Sequence, residues 1–237
     1  MYGYFDYVSV AERKVKAEKK LAKLMKTNSD IEPIVIEGNK IATTFWGKAW
    51  CDNLKTYADY DNRIGRGKSY IKNGFVFDIK IKEGHIEGIV CGSGREPYNI
   101  VINIEPLSKL EQKKLYDRVG KNIDNLEVLL QGKFPKELEK AFLTKENGLF
   151  PNIKEIKMGC NCPDWASMCK HISAVLYGIG AKLDKEPLLL FELRGIDVSE
   201  LIKKSIDDKM KNMIKNSKIK SERILSDVDI NNVFGLQ

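Results

Sequence analysis

The chain holds 237 residues, 43% hydrophobic and 31% charged; that is enough apolar content for a real core, and the mixed charge signs argue against wholesale disorder. A net charge of +7 and a pI of about 9.0 admit nucleic acid as a partner, although the excess is small beside proteins that coat DNA. No apolar run approaches the roughly 18 residues of a membrane span, no signal or lipidation motif opens the chain, and with free thiols these absences point to the cytoplasm.

Residues 9–27, SVAERKVKAEKKLAKLMKT, predict one helix. Ser9 and Glu12 form a capping-box pattern. Val15, Leu21 and Leu24 supply a thin apolar stripe, and seven Lys or Arg lie between Arg13 and Lys26. Such a charge run is either a solvated face or a basic face turned to nucleic acid. Asn28, Ser29 and Asp30 then break the helix.

Residues 31–105 read as rich in β structure. IEPIVIEGNKIATTF carries β-branched runs around a Glu37-Gly38-Asn39 turn. FWGKAWCDNLKTY reads as a helix with Trp46 and Trp50 on one face at i, i+4 spacing, as core anchors. SYIKNGFVFDIKI, HIEGIVCGS and YNIVINIE then predict a small antiparallel meander. Strict alternation would put Phe75, Phe77, Ile79 and Ile81 on one face and Val76, Asp78 and Lys80 on the other.

Inside this region GRGKS, Gly65 to Ser69, looks like the end of a phosphate-binding loop. The full pattern needs glycine where Asn62 stands. The expectation is instead a basic flexible loop in which Arg63, Arg66 and Lys68 contact phosphates, or a plain solvated turn.

Residues 107–146 switch to helical period, with breaks at Gly120 and Gly132 and a short helix begun by Pro135. Ser108 and Glu111 repeat the capping box. GLFPNIKEIKMG reads as a loop and strand. EPLLLFEL and DVSELIKKSIDDKMKNMIK read as helices, and a polar, weakly structured tail is expected from Ser217. Residues 186–237 balance nine acidic against nine basic side chains, so the basic excess lies upstream.

The densest chemistry falls between these helices and the preceding strand. Cys160, Cys162, Cys169 and His171 form C-x-C-x6-C-x-H, which uses three of five cysteines and one of two histidines. Three soft sulfurs and one imidazole suit a tetrahedral Zn²⁺, and four protein ligands close its shell as in structural sites. Alternate side chains of an extended turn would let Cys160 and Cys162 converge. Cys169 and His171 open a helix in which Ile172, Val175, Leu176 and Ile179 recur at helical spacing. There the helix dipole favours thiolate, and Lys170 offsets negative charge. Pro163 and Trp165 are expected to lid the site. Buried, unliganded cysteines are the bland alternative; the spacing fits no C-x-x-C redox pair, and an odd cysteine count fits no disulfide framework. Cys51 and Cys91 read as ordinary buried residues, and His85 as a strand-turn residue outside the ligand set.

On these residues the chain resembles the SWIM zinc finger. CNCPDWASMCKHISAVLYGIGAKLD matches the finger, and IATTFWGKAWCDNL, NRIGRGKSYIKNGFVFDIKI, GSGREPY, GLFPNIKEI and DKEPLLLFELRG resemble bacterial SWIM zinc finger family proteins over roughly residues 8–205. The resemblance implies Zn²⁺ binding and a role in contacting DNA or proteins, as a partner or appendage of Swi/Snf-type helicases. It brings no acid, base or nucleophile, so no enzyme activity is expected.

The expected fold is therefore α+β: a small antiparallel sheet with flanking helices and a zinc-stabilised finger leading into a helix. Its expected divisions are a basic helix (1–30), an α+β domain (31–150), the finger (151–186), and a helical segment and tail (187–237). Two functions remain open: a nucleic-acid-binding accessory protein beside a helicase-type ATPase, or a protein–protein adaptor with purely structural zinc.

Overall fold

A computed structural model of the chain describes residues 8–55, 61–120 and 148–217. The expected break at Gly132, the helix begun by Pro135 and the tail after Ser217 lie outside these residues. The described elements run α1 (Val10–Thr27), α2 (Phe45–Leu54), α3 (Asp61–Lys72), β1 (Val76–Lys82), β2 (His85–Val90), β3 (Tyr98–Ile104) and α4 (Lys109–Gly120). After them come a single 3-10 turn (Ile153–Glu155), β4 (Ile156–Cys160), α5 (Lys170–Lys185), α6 (Leu188–Leu193) and α7 (Val198–Ser217).

The four strands form one antiparallel sheet in the order β1-β2-β3-β4. Its two faces are covered by different helices. The main core unites Ile79, Ile86, Val90, Ile100, Ile102 and Ile104 of the sheet with Ile172, Val175, Leu176 and Ile179 of α5. On the reverse face, Ala17 of α1 packs with Phe75, Phe77 and Cys91, joined by Leu21 and Leu24. The buried stripe of α1 is thus Ala17, Leu21 and Leu24, at i, i+4 and i+7. Val15, read as part of that stripe, is instead half exposed.

Strict alternation also fails along β1. A bulge between Val76 and Asp78 shifts the pairing with β2. One extra residue reverses which face each side chain meets. Phe75 and Phe77 therefore sit under α1, while Val76 and Ile79 belong to the main core. Asp78 is left buried at 3% exposure, where it accepts a hydrogen bond from the Glu32 backbone N–H at 3.3 Å.

Two further expectations are corrected. Residues 31–44 contain no strand; the segment is held by single contacts such as Ile34 N–H donating to the Val76 carbonyl at 3.3 Å. Residues 63–68 form no loop; they lie within helix α3. Ile64, Gly67 and Ile71 are buried at i, i+3 and i+7, a helical stripe that the two glycines obscured. A Cβ at Gly67 would collide with the side chain and backbone of Ser173, so its absence allows α3 to cross α5 at close range.

Among the described residues the segments 31–150 and 151–186 share the main core: Trp46, Trp50, Ile71 and Ile102 lie in one cluster with Cys169, Ile172 and Leu183. Trp46 and Trp50 are each 1% exposed, and the Trp50 indole N–H donates to the Leu176 carbonyl of α5 at 2.7 Å. At the far end of α5, Asp184 accepts hydrogen bonds from the backbone and hydroxyls of Thr43 and Thr44, just ahead of α2. Helix α5 is thereby gripped by α2, α3 and the sheet. No described helix is long and apolar enough to cross a membrane.

Candidate metal centre

Strand β4 delivers the first ligand. Cys160 pairs with Ile100 at the end of the β3–β4 ladder. Two bonds continue that ladder past the strand: Asn161 N–H to the Asn99 carbonyl at 3.3 Å, and Asn99 N–H to the Asn161 side-chain oxygen at 2.9 Å. Cys162 follows two residues on. The chain then loops and returns to Cys169, which occupies the N-cap position of α5, so His171 falls in the first helical turn.

The four ligand atoms lie within 4.8 Å of one another. His171 Nδ1 stands 3.9 Å from Cys160 Sγ and 3.8 Å from Cys169 Sγ. Bond lengths for tetrahedral zinc imply ligand-to-ligand edges of about 3.6–3.8 Å. The cluster is thus close to the size of a coordination shell, and its donors are soft or borderline. Cys169 and His171 are buried while Cys160 and Cys162 are half-buried. These residues fit a metal ion, with Nδ1 as the nitrogen donor.

One thiol of the cluster is held as the better thiolate. With no cation bound, a hydrogen bond from Cys160, then the His171 side chain and the N–H groups of Ile172 and His171, hold the Cys169 thiol well below its ordinary value against the cost of burial. Cys160 is pushed upward by that same bond, in which it keeps the proton, and by burial. A bound cation would displace the proton and favour thiolate at both.

Aromatic rings hold the histidine. His171 lies between Tyr98 (centroids 4.6 Å, 41°) and Tyr70 (5.4 Å, 73°). Its Nε2 is buried with no hydrogen-bond partner among the described residues, so ring packing and the sulfurs beside Nδ1 restrain its orientation. Neither tyrosine had a local sequence signal, because each comes from a different element and meets the ligand only in three dimensions.

The expected lid is corrected. Trp165 is 100% exposed and Pro163 is exposed, so neither shields the sulfurs. Buried Met168 instead packs into the core beside Cys169. The ligand loop is anchored by Asp164, whose carboxylate accepts from Arg63 at 2.6 Å and from the Ala166 N–H at 3.3 Å.

The three basic residues expected to meet phosphates are thus dispersed on α3. Arg63 is committed to Asp164, Lys68 lies 5.3 Å from the centre of the Tyr177 ring, and Arg66 is exposed. Lys170 projects over the Tyr70 ring at 5.7 Å. Cys91 is buried and Cys51 nearly so; burial pushes the Cys51 thiol up to about 12, aided by Asp52 and Asp184. His85 begins β2 away from the cluster and bonds Asn103 at 2.7 Å.

The fold and site define an α+β protein with a partly buried Cys3His cluster able to hold a metal ion. The chain is similar to the Uncharacterized protein Rv2102 of Mycobacterium tuberculosis (strain ATCC 25618 / H37Rv), at 30% identity over 163 residues. That alignment covers 68% of this chain and 58% of the relative, so the chain spans a little over half the relative's length. No family model matches the chain, and no solved structure matches it.

Proposed function

We propose that this is a SWIM-type zinc protein whose metal is structural and whose task is binding nucleic acid, DNA foremost, as an accessory beside a Swi/Snf-type helicase in the cytoplasm. One observation carries the structural role: the four ligands converge at the end of α5, the helix around which the core is built. Cys160, Cys162, Cys169 and His171 would hold Zn²⁺, whose charge would tie β4 to the N-terminus of that helix. A closed shell leaves no position for a reacting water, so the reading assigns no catalysis. Nucleic-acid binding is supported by the net charge of +7 and its concentration upstream of residue 186. The helicase partner rests on the SWIM resemblance.

A second reading is favoured by Trp165. Its fully exposed indole packs against nothing in this fold, and tryptophan is enriched at binding hot spots. It suits a protein adaptor in which the metal shapes a docking loop.

The test is a fluorescence anisotropy titration of the zinc-loaded protein with single- and double-stranded DNA and RNA at two salt concentrations, with zinc counted on the same sample. Micromolar or tighter, salt-sensitive binding is expected. One zinc per chain with no binding would sink the nucleic-acid role and leave the adaptor.

A further inference from the structure

The basic residues of α1 are not evenly spread over solvent. Arg13, Lys16 and Lys20 line one cavity of about 280 Å³, and Lys20 and Lys23 line a second of about 370 Å³ beside it. These four stand three or four residues apart, so they recur along one face of the helix about every 5 Å. The opposite wall is the β2–β3 loop, through Gly92 and Ser93 in the first cavity and Arg95 and Pro97 in the second. Lys20 donates to the Gly94 carbonyl at 2.6 Å and pins the helix to that loop where the cavities meet. Among the described residues none of Arg13, Lys16, Lys20 and Lys23 is in an ion pair with a carboxylate; Glu96 is the acidic residue lining the second cavity.

The first cavity has an aromatic floor. Tyr70 and Phe75 meet edge to face at 5.2 Å, and Arg13 lies 5.8 Å from the centre of the Phe75 ring. Phe75 is nearly buried beneath that guanidinium, so the ring left for a ligand is the half-buried Tyr70; aromatic rings and planar guanidinium groups are surfaces on which nucleobases stack. A row of cations beside an aromatic pocket large enough for one flat ring suits a strand whose bases are free to leave their neighbours. In a duplex those bases are paired and stacked away.

We propose that the groove between α1 and the β2–β3 loop binds single-stranded nucleic acid, with phosphates along Arg13, Lys16, Lys20, Lys23 and Arg95 and one base in the pocket floored by Tyr70 and Phe75. This rests on the nucleic-acid reading above and moves its interface from Arg63, Arg66 and Lys68 to the opposite cover of the sheet. The groove also abuts the metal centre. Tyr70 packs on His171, and a Cβ at Gly92 would lie 3.0 Å from His171 Nε2. Tyr70 thus joins the pocket floor to the histidine of the cluster.

The test uses the full zinc-loaded chain and short fluorescein-labelled single strands of DNA and RNA. Three variants are compared, with thermal melts confirming that each is folded. The first combines Lys16→Gln, Lys23→Gln and Arg95→Gln, all exposed side chains of the groove. The second removes the same charge elsewhere, by Lys40→Gln, Lys48→Gln and Lys72→Gln around a separate cavity. The third, Ser93→Trp, fills the aromatic pocket from its rim. The groove triple should weaken binding at least about tenfold and lower the slope of log K against log salt by roughly 2. The control triple should change both far less. Ser93→Trp should cost about tenfold with little change in slope.

Equal losses in the two triples would overturn the groove and leave a net-charge effect. Binding of an abasic strand or of polyglutamate as tightly as the oligonucleotide would overturn the base pocket. So would preference for duplex. A wild-type chain that binds no strand would overturn the nucleic-acid reading with it, whereas wild-type binding that survives the groove triple and Ser93→Trp would overturn the groove alone.

Discussion

Arg63 and Asp164 lie 101 residues apart in the chain and meet at 2.6 Å, joining the first turn of α3 to the loop between the second and third candidate metal ligands. Both side chains are about a quarter exposed, so the pair is screened and contributes modestly, on the order of 1 kcal/mol. Its larger effect is on the loop. Asp164→Asn and Arg63→Ala should each speed metal loss to a chelator severalfold while lowering the melting temperature by only a few degrees. A double-mutant cycle should show the two effects to be non-additive. Additive effects would mean the pair does not restrain the loop.

The metal and the indole should separate cleanly. Cys169→Ser removes a buried ligand at the N-cap of α5. Zinc sites of this kind hold roughly 10–16 kcal/mol of apparent binding energy in small peptides, and even a fraction of that exceeds most core substitutions. The variant should lose its metal and melt about 10 °C or more below wild type. One zinc per chain retained in Cys169→Ser would show the ligand set to be wrong. Trp165→Ala, at a fully exposed position, should change neither metal content nor melting temperature.

Two glycines of one helix should respond in opposite directions. Around Gly65 there is open space, and alanine relieves the entropic cost of glycine in a helix, so Gly65→Ala should stabilise by about 0.5–1 kcal/mol. At Gly67 the added carbon meets Ser173 on both side chain and backbone. Overpacking of that kind costs about 1–3 kcal/mol, more than the helical gain. Urea unfolding of the two variants decides it; equal stabilisation would show that α3 can draw back from α5.

The cap of α4 predicts a pH dependence. Glu111 accepts from the Ser108 hydroxyl and backbone N–H, which hold its carboxyl below the ordinary value of 4.5. A group depressed on folding stabilises above its unfolded pKa, and that stabilisation fades as pH falls through the folded pKa. Ser108→Ala should therefore cost about 1 kcal/mol near neutral pH and progressively less below pH 4.5. A cost independent of pH would separate the hydroxyl cap from the carboxylate.

Elements with a local cause were readable in the sequence. Capping boxes at Ser9 and Ser108 mark the starts of α1 and α4 as observed, because both partners lie three residues apart. Trp46 and Trp50 share a buried helical face as their spacing required. The four candidate ligands are found together because the two members of each half lie only two positions apart, so local geometry brings each half most of the way. Helix α3 is hidden in the sequence because Gly65 and Gly67 lower local helix propensity by about 1 kcal/mol each. The bulge in β1 is hidden because a period of two carries no mark of an inserted residue.

Donor softness, spacing and periodicity are properties of the chain alone, and they mark the four residues able to hold a metal and the strand and helix that carry them. The remainder was set by the three-dimensional packing. It turned a basic phosphate-like loop into a helix whose Arg63 serves the ligand loop. It left the expected Trp165 lid in solvent and gathered Tyr70 and Tyr98 around His171. The physical reason is that helix propensity, ion pairing and ring packing at these positions are settled by close approach to α5 and the sheet, contacts between residues too far apart in the chain for any local pattern to encode.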